Sequence, residues 1–214
     1  MVFESTTTWP SAEGDERRVP PPLSSYGFQK LAVEYFARAA HQQYGLPYTI
    51  VRPFNCVGIG EQRALGEVEV LSGNVKLAMS HVVPDLVQKV LKGQNPLHIL
   101  GDGSQIRHYT YGGDLAKGIA TAMEHPAALD DDFNLSTACS TTVLQLAEAI
   151  WNKIRPDEPF RYTCDEPFEH DVACRIPATE KARNILGFEA TTTLDEMLDE
   201  VIPWIERAMA EGCI

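Results

Sequence analysis

Short apolar runs rich in β-branched or aromatic residues alternate with helical stretches along this chain, and that alternation narrows the fold more than any other feature. Pro47-Tyr48-Thr49-Ile50-Val51, Pro96-Leu97-His98-Ile99-Leu100, Arg107 to Tyr111, Phe133-Asn134-Leu135 and Phe160-Arg161-Tyr162-Thr163 read as strands. Helices are expected from Tyr26 to about Tyr44, from Ser80 to Lys92, from Gly113 or Asp114 to Met123, and from Val143 to Ile154. Two more are expected at about 179–186 and 193–210. Gly45 and Gly93 sit where helices should stop, while Ser80 and Thr141 or Thr142 sit where they should start. Pro203 falls inside the last helix and should kink it. The first helix carries Leu31, Ala32, Tyr35, Phe36 and Ala39 at helical spacing. A βα alternation of this kind predicts an α/β architecture.

Composition excludes several classes. Eighteen Lys and Arg stand against 30 Asp and Glu, a formal net charge of −12, which argues against nucleic acid or an anionic membrane as the main partner. A phosphate-bearing ligand would therefore need a local cluster of arginines. No apolar run reaches the roughly 20 residues that span a bilayer. Met1-Val2-Phe3-Glu4-Ser5-Thr6 lacks the basic start of a signal peptide. Five scattered cysteines (Cys56, Cys139, Cys164, Cys174 and Cys213) form no Cys-x-x-Cys pair, so no metal site is expected, and they read as reduced thiols of a cytoplasmic protein.

The chemistry concentrates in Ser24-Ser25-Tyr26-Gly27-Phe28-Gln29-Lys30. A spacing of four places Tyr26 and Lys30 one turn apart on a single helical face. An ammonium beside a phenol favours the phenolate, which makes a tyrosine usable as an acid/base. The pair alone is a weak signal, since a Tyr-x-x-x-Lys arises readily by chance.

Its neighbours give it weight. Ser5-Thr6-Thr7 precedes the Pro-rich loop ending in Pro22-Leu23-Ser24-Ser25. The strand after the helix ends in Arg52-Pro53-Phe54-Asn55-Cys56-Val57-Gly58. A turn, Gly101 to Arg107, precedes a helix beginning near Asp114, and Lys181-Ala182-Arg183-Asn184-Ile185-Leu186-Gly187 follows late. In this order, from about Phe3 to Trp204, the motifs resemble the extended short-chain dehydrogenase/reductase family, in particular its NAD-dependent nucleotide-sugar epimerases and dehydratases. The resemblance covers the later two thirds of the family's usual length.

The resemblance implies roles. Tyr26 would move a proton on a sugar hydroxyl while a nicotinamide exchanges hydride with the same carbon. Lys30 would tune the phenol and hold the nicotinamide ribose. Thr6 would orient the substrate, with Ser5 and Thr7 as register alternatives. Pro53 would line the cofactor, and Asn55 and His81 the substrate. Arg107 would clamp a phosphate, because a guanidinium fork suits phosphate oxygens. NAD is the implied cofactor, with NADP left open, and a nucleotide sugar or related small molecule the implied substrate.

Two departures qualify this. Phe168 stands where many members carry a second arginine ahead of Asp171, and Arg175 is the nearest substitute. No Gly-x-Gly-x-x-Gly turn follows a strand and opens a helix; Val57-Gly58-Ile59-Gly60-Glu61 is a poor match. The expected fold is thus a partial Rossmann-like doubly wound sheet lacking the Gly-rich βαβ half, with a small C-terminal α/β substrate lobe. Residues 1–79 would belong to the cofactor domain and 80–214 mainly to the lobe, with about 107–136 returning to the first. Exposed helix and strand faces would favour a homodimer or a complementing N-terminal half. Two other readings stay open: a same-family dehydrogenase or reductase acting on a non-nucleotide hydroxyl, and a catalytically silent binding module.

Overall fold

The principal elements, in chain order, are α1 (Ser25–Tyr44), β1 (Thr49–Pro53), α2 (Val82–Leu91), β2 (Leu97–Leu100), α3 (Gly112–Glu124), β3 (Asp131–Leu135), α4 (Val143–Ile154), β4 (Tyr162–Asp165) and α5 (Leu194–Ala210). The computed structural model describes residues 1–60, 71–72, 75–76, 81–167 and 172–213. Ser80, Phe168 and Asp171 lie outside the described residues. Two compact units make up the chain. One comprises Met1–Cys56, Arg107–Ser140 and Cys174–Thr192; the other comprises Val57–Ile106, Thr141–Ala173 and Thr193–Ile214.

In the first unit β1 and β3 pair in parallel, with Thr49 opposite Asp131 and Pro53 opposite Leu135. Alternate side chains of a strand point to opposite faces, so the two faces can be read directly. Val51, Phe133 and Leu135 face a cluster with Leu115, Ile119 and Ala122 of α3 and with Ala182, Leu186 and Phe188. Fully burying a side chain such as Phe133 contributes about 1.5–3 kcal/mol. Arg52 and Asp132 point the other way, toward α1.

That second face is ionic. The Arg52 guanidinium donates to both carboxylate oxygens of Glu34 at 2.7 Å and lies 2.6 Å from Asp132 Oδ2 and 3.4 Å from Glu16 Oε1. Arg38 reaches Glu16 at 3.0 Å and Glu34 at 3.3 Å, and Lys181 stands 3.6 Å from Asp132. Lys181 is also held by Asp131 at 2.5 Å and Arg17 stands 3.3 Å from Glu16, so each buried charge has a partner, as burial of charge demands. Burial alone would raise the Asp132 carboxyl, but Arg52 outweighs it and holds Asp132 below its ordinary range.

The outer edge of β3 is closed by side chains. The Asn134 N–H donates to Glu13 Oε1 at 2.8 Å, and Lys181 Nζ donates to the Asp132 carbonyl at 2.7 Å. Ser11 bridges Pro177, and the Asn134 amide donates to the Ser11 and Ala178 carbonyls.

In α1, the Ser24 hydroxyl accepts the Gly27 N–H at 3.0 Å at the start, and Gly45 ends the helix in the left-handed conformation at φ 67°. The buried stripe is Gly27, Leu31 and Glu34. Of the five residues expected to form the apolar face only Leu31 is buried, while Tyr35 and Phe36 are exposed. The Glu34 and Arg38 contacts to the ionic face set the helix's rotation. β1 lies two residues later than its sequence pattern suggests, and the expected 107–111 strand is two short pieces, Ile106–Arg107 and Thr110–Tyr111. The strand read around Phe160 likewise begins at Tyr162.

In the second unit β2 and β4 pair in parallel, Leu97 opposite Tyr162, and α2 packs against α4 and α5. Val87, Val90, Leu97, Leu146, Ile150, Trp151 and Leu198 are essentially inaccessible. Two capping boxes, Thr142 with Gln145 and Thr193 with Glu196, start α4 and α5. α5 is assigned as one helix through Pro203. No helix of the described residues is long and apolar enough to cross a membrane.

Candidate active site

Tyr26 lies in the first turn of α1 with its side chain in solvent, and Lys30 follows one turn later, its ammonium 5.2 Å from the centre of the Tyr26 ring. The adjacent Gly27 explains why the turn is built this way. A Cβ there would come within 2.6 Å of Pro22 Cβ and 2.8 Å of Glu4 Oε2. Only glycine lets the Pro-rich loop and the first residues of the chain close against the helix start.

Residues 2–5 form a turn that leads into Thr6 and Thr7. Glu4 accepts hydrogen bonds from the Ser24 N–H at 2.7 Å and from the Ser24 hydroxyl. Phe3 stacks on Phe54 with ring centres 6.4 Å apart, and the Arg52 guanidinium lies 5.4 Å from the Phe3 ring centre. The opening turn is therefore tied both to the start of α1 and to the end of β1.

Within that frame the expected site residues differ in availability. The Ser5 hydroxyl donates to the Pro21 carbonyl at 3.0 Å. Thr6 is buried, and its hydroxyl donates to the Thr8 carbonyl at 3.0 Å and accepts the Thr8 N–H at 3.3 Å. Thr7 is exposed. Pro53 is the exposed last residue of β1. Asn55 follows in a strained backbone, φ 39°, and is held from the 107–111 segment: its carbonyl accepts the Thr110 N–H at 3.1 Å and its side-chain amide donates to the His108 carbonyl at 3.4 Å.

His108 is itself buried, with its ring Nδ1 2.9 Å from the Thr137 carbonyl, and burial lowers its pKa although that hydrogen bond opposes the shift. Arg107 is buried in the same short segment. His81 is exposed at the start of α2, where its side chain makes no capping hydrogen bond. Arg175 is half-buried. The first unit thus brings Tyr26, Lys30, the Ser5-Thr6-Thr7 turn, Pro53 and Asn55 into one tied assembly, while His81 belongs to the second unit. Among the described residues no group of three or more His, Cys, Asp or Glu could hold a metal ion.

Residues 1–136 match the model of the NAD-dependent epimerase/dehydratase family. The chain belongs to this family. Among relatives, a Bacillus subtilis protein named as an uncharacterized UDP-glucose epimerase is 31% identical over 96% of this chain and 60% of its own length. A UDP-glucose 4-epimerase of Lacticaseibacillus casei is 27% identical over 97% of this chain and 64% of its own. The crystal structure of a Thermotoga maritima UDP-glucose 4-epimerase with UDP-glucose matches with a TM-score of 0.77 at 28% identity, over 97% of this chain and 60% of that one. An epimerase of Methanothermobacter thermautotrophicus, 22% identical with a TM-score of 0.78, shares the fold. The α/β architecture with parallel strands is thereby the Rossmann-like fold of the epimerase/dehydratase family, and the chain spans less than two thirds of the length of these relatives.

Sequence reasoning singled out the tyrosine, the lysine and the Asn55 loop but missed Glu4 and Gly27. Gly27 carried a usable signal, because a glycine inside an otherwise strong helix costs about 1 kcal/mol against alanine and so marks a close approach.

Proposed function

We propose that these residues serve an NAD-dependent epimerase/dehydratase acting on a nucleotide sugar, with Tyr26 as the group that moves the substrate hydroxyl proton. The observation that carries this reading is the exposed Tyr26–Lys30 pair, tied through Glu4 and Phe3 to the Ser5-Thr6-Thr7 turn and the Asn55 loop. The relatives at 27–31% identity are named as acting on UDP-glucose, which makes that sugar nucleotide the first substrate to try.

The residues present fit the nicotinamide-ribose end of NAD. Lys30 offers three donors, and the Tyr26 hydroxyl can both donate and accept, with both side chains open to solvent. Bound NAD supplies the hydride acceptor at the sugar carbon. A hydride leaves that carbon readily only when the hydroxyl proton is removed with it, so Tyr26 takes the proton and later returns it. Thr7 is the most accessible hydroxyl of the opening turn, and the Thr6 hydroxyl would have to exchange its bond to Thr8 for one to substrate. Arg107 would supply the positive charge for a phosphate, with the fork geometry that suits it. His81 would contribute a polar contact.

Phosphate cradling of the dinucleotide needs a Gly-rich turn, and the sequence offers none in the right setting. The activity therefore requires such a segment from elsewhere, in a longer chain or a complementing half. Exposed Phe28, Val33, Phe36 and Tyr44 on α1 supply apolar surface for that association. The decisive experiment compares C4 inversion of UDP-glucose, in the presence of NAD, by wild type and by Tyr26→Phe, each joined to the Gly-rich segment and with the wild type measurably active. Loss of at least about a hundredfold in kcat is expected for a lost acid/base. Equal turnover by the two proteins would refute the role of Tyr26. Net accumulation of NADH would favour a dehydrogenase instead.

A further inference from the structure

The Glu4 side chain stands out once the site is drawn. It is an acidic residue in the opening turn, directly before Ser5-Thr6-Thr7, and it reaches 20 residues along the chain to Ser24. Its carboxylate accepts both the backbone N–H and the hydroxyl of that residue. Ser24 is the residue whose hydroxyl caps α1 by accepting the Gly27 N–H, so one carboxylate organises the whole turn that displays Tyr26. Gly27 completes the contact, because any side chain there would strike Glu4 Oε2 and Pro22.

We propose that Glu4 is a positioning residue: through Ser24 it fixes where the Tyr26 hydroxyl stands relative to the hydroxyl-bearing Ser5-Thr6-Thr7 turn. The role does not require Glu4 to touch substrate or cofactor. Two reacting groups on separate segments must be held to well within an ångström, and the chain joining them here is a loop of some twenty residues, too long to set that distance unaided. A charge-assisted hydrogen bond pair at the loop's two ends supplies the constraint. A negative charge at the start of α1 is also favoured by the helix dipole. Burial would raise the Glu4 carboxyl; the hydrogen bonds from the Ser24 hydroxyl and amide and from the Leu23 amide, with the charged Met1 amine nearby, outweigh that and hold it below its ordinary value.

The functional consequence rests on the reading of Tyr26 given above, so the test has two arms. In the first, which needs no turnover, ¹H–¹⁵N and aromatic NMR spectra of the chain are followed through an acid titration. The Ser24 amide and the Tyr26 ring signals should move together with a midpoint below 4.5, and both movements should vanish in Glu4→Ala. Tyr26 ring signals that coincide in wild type and Glu4→Ala at every pH would overturn the proposal.

In the second arm, Glu4→Ala should lower kcat by about tenfold or more with KM for the sugar nucleotide within about twofold, as expected for a misplaced group. Glu4→Gln, which keeps an acceptor oxygen at the same length, should recover most of that loss. An unchanged kcat in Glu4→Ala beside an inactive Tyr26→Phe would overturn the proposal and leave the role of Tyr26 standing. Equal turnover in wild type and Tyr26→Phe would instead remove that role, with the NMR arm still deciding whether Glu4 sets the position of the phenol.

Discussion

The two faces of the β1–β3 sheet bury side chains by opposite means. Toward α3 the strands present Val51, Phe133 and Leu135 to an apolar cluster; toward α1 they present Arg52 and Asp132 to a network of carboxylates and cations. An apolar face tolerates approximate fit, since any side chain of similar volume removes water. An ionic face does not, because each charge has meaning only with its partners in place. The face with the stricter geometry is the one behind Tyr26 and Lys30. A bidentate Glu34–Arg52 pair fixes α1 in rotation and height against the strand that leads into Asn55. Hydrophobic packing could have anchored α1 more stably, but with less control over register.

The largest effect that tests this contrast comes from breaking the ionic face on one side. Arg52→Ala takes from Glu34 its bidentate partner and from Asp132 its nearest cation and should cost about 3–5 kcal/mol, read as a lowered midpoint in urea. The matched double variant Arg52→Met with Glu34→Leu should recover most of that loss, since a paired replacement by apolar residues leaves Glu16 and Asp132 with Arg38 and Lys181. A double variant as unstable as the single one would show that the network is not a balanced unit. Phe133→Ala, on the other face, should cost a comparable 3–5 kcal/mol or so, with no second substitution able to restore it simply. Next in size, Gly118→Ala should destabilise by about 1–3 kcal/mol, because its Cβ would meet the Phe188 ring at 2.7 Å within the apolar cluster.

Acid separates the faces with a smaller effect. Asp132 is held below its ordinary carboxyl range, so it contributes stability above the usual aspartate value of 3.8 that is lost as pH falls through its folded value. His108 acts in an earlier window. Burial disfavours its charged form, so its contribution is intact above 6.5 and declines as pH drops below that. Thermal melts from pH 7 to pH 3 should show both losses in wild type and in Phe133→Ala. The later one should shrink in the Arg52→Met, Glu34→Leu protein. Identical acid limbs in all three would remove Asp132 from the account.

This contrast also separates what the sequence could disclose from what it could not. Gly45 as a helix stop, Thr141 or Thr142 as a start, and the apolar runs that became β2 and β3 were all legible, because each signal is local. The rotation of α1 was not. Its aromatic residues suggested a buried stripe through Tyr35 and Phe36, and the stripe that forms runs instead through Glu34, a polar residue whose partner lies 18 positions away on β1. The same reason hid Glu4, whose partner Ser24 is 20 positions on. Tyr26, Lys30 and the Asn55 loop were visible as types and spacings. The internal bond that occupies the Thr6 hydroxyl could be seen only once the turn was in hand.

Glu13 and Lys181 close one border of the sheet. With the outward amide of Asn134 and the outward carbonyl of Asp132 already saturated by charged side chains, no further strand can zip onto β3 without first evicting two ions. That border is thus barred by charge rather than by bulk, and a polar side chain lost from either position would reopen it.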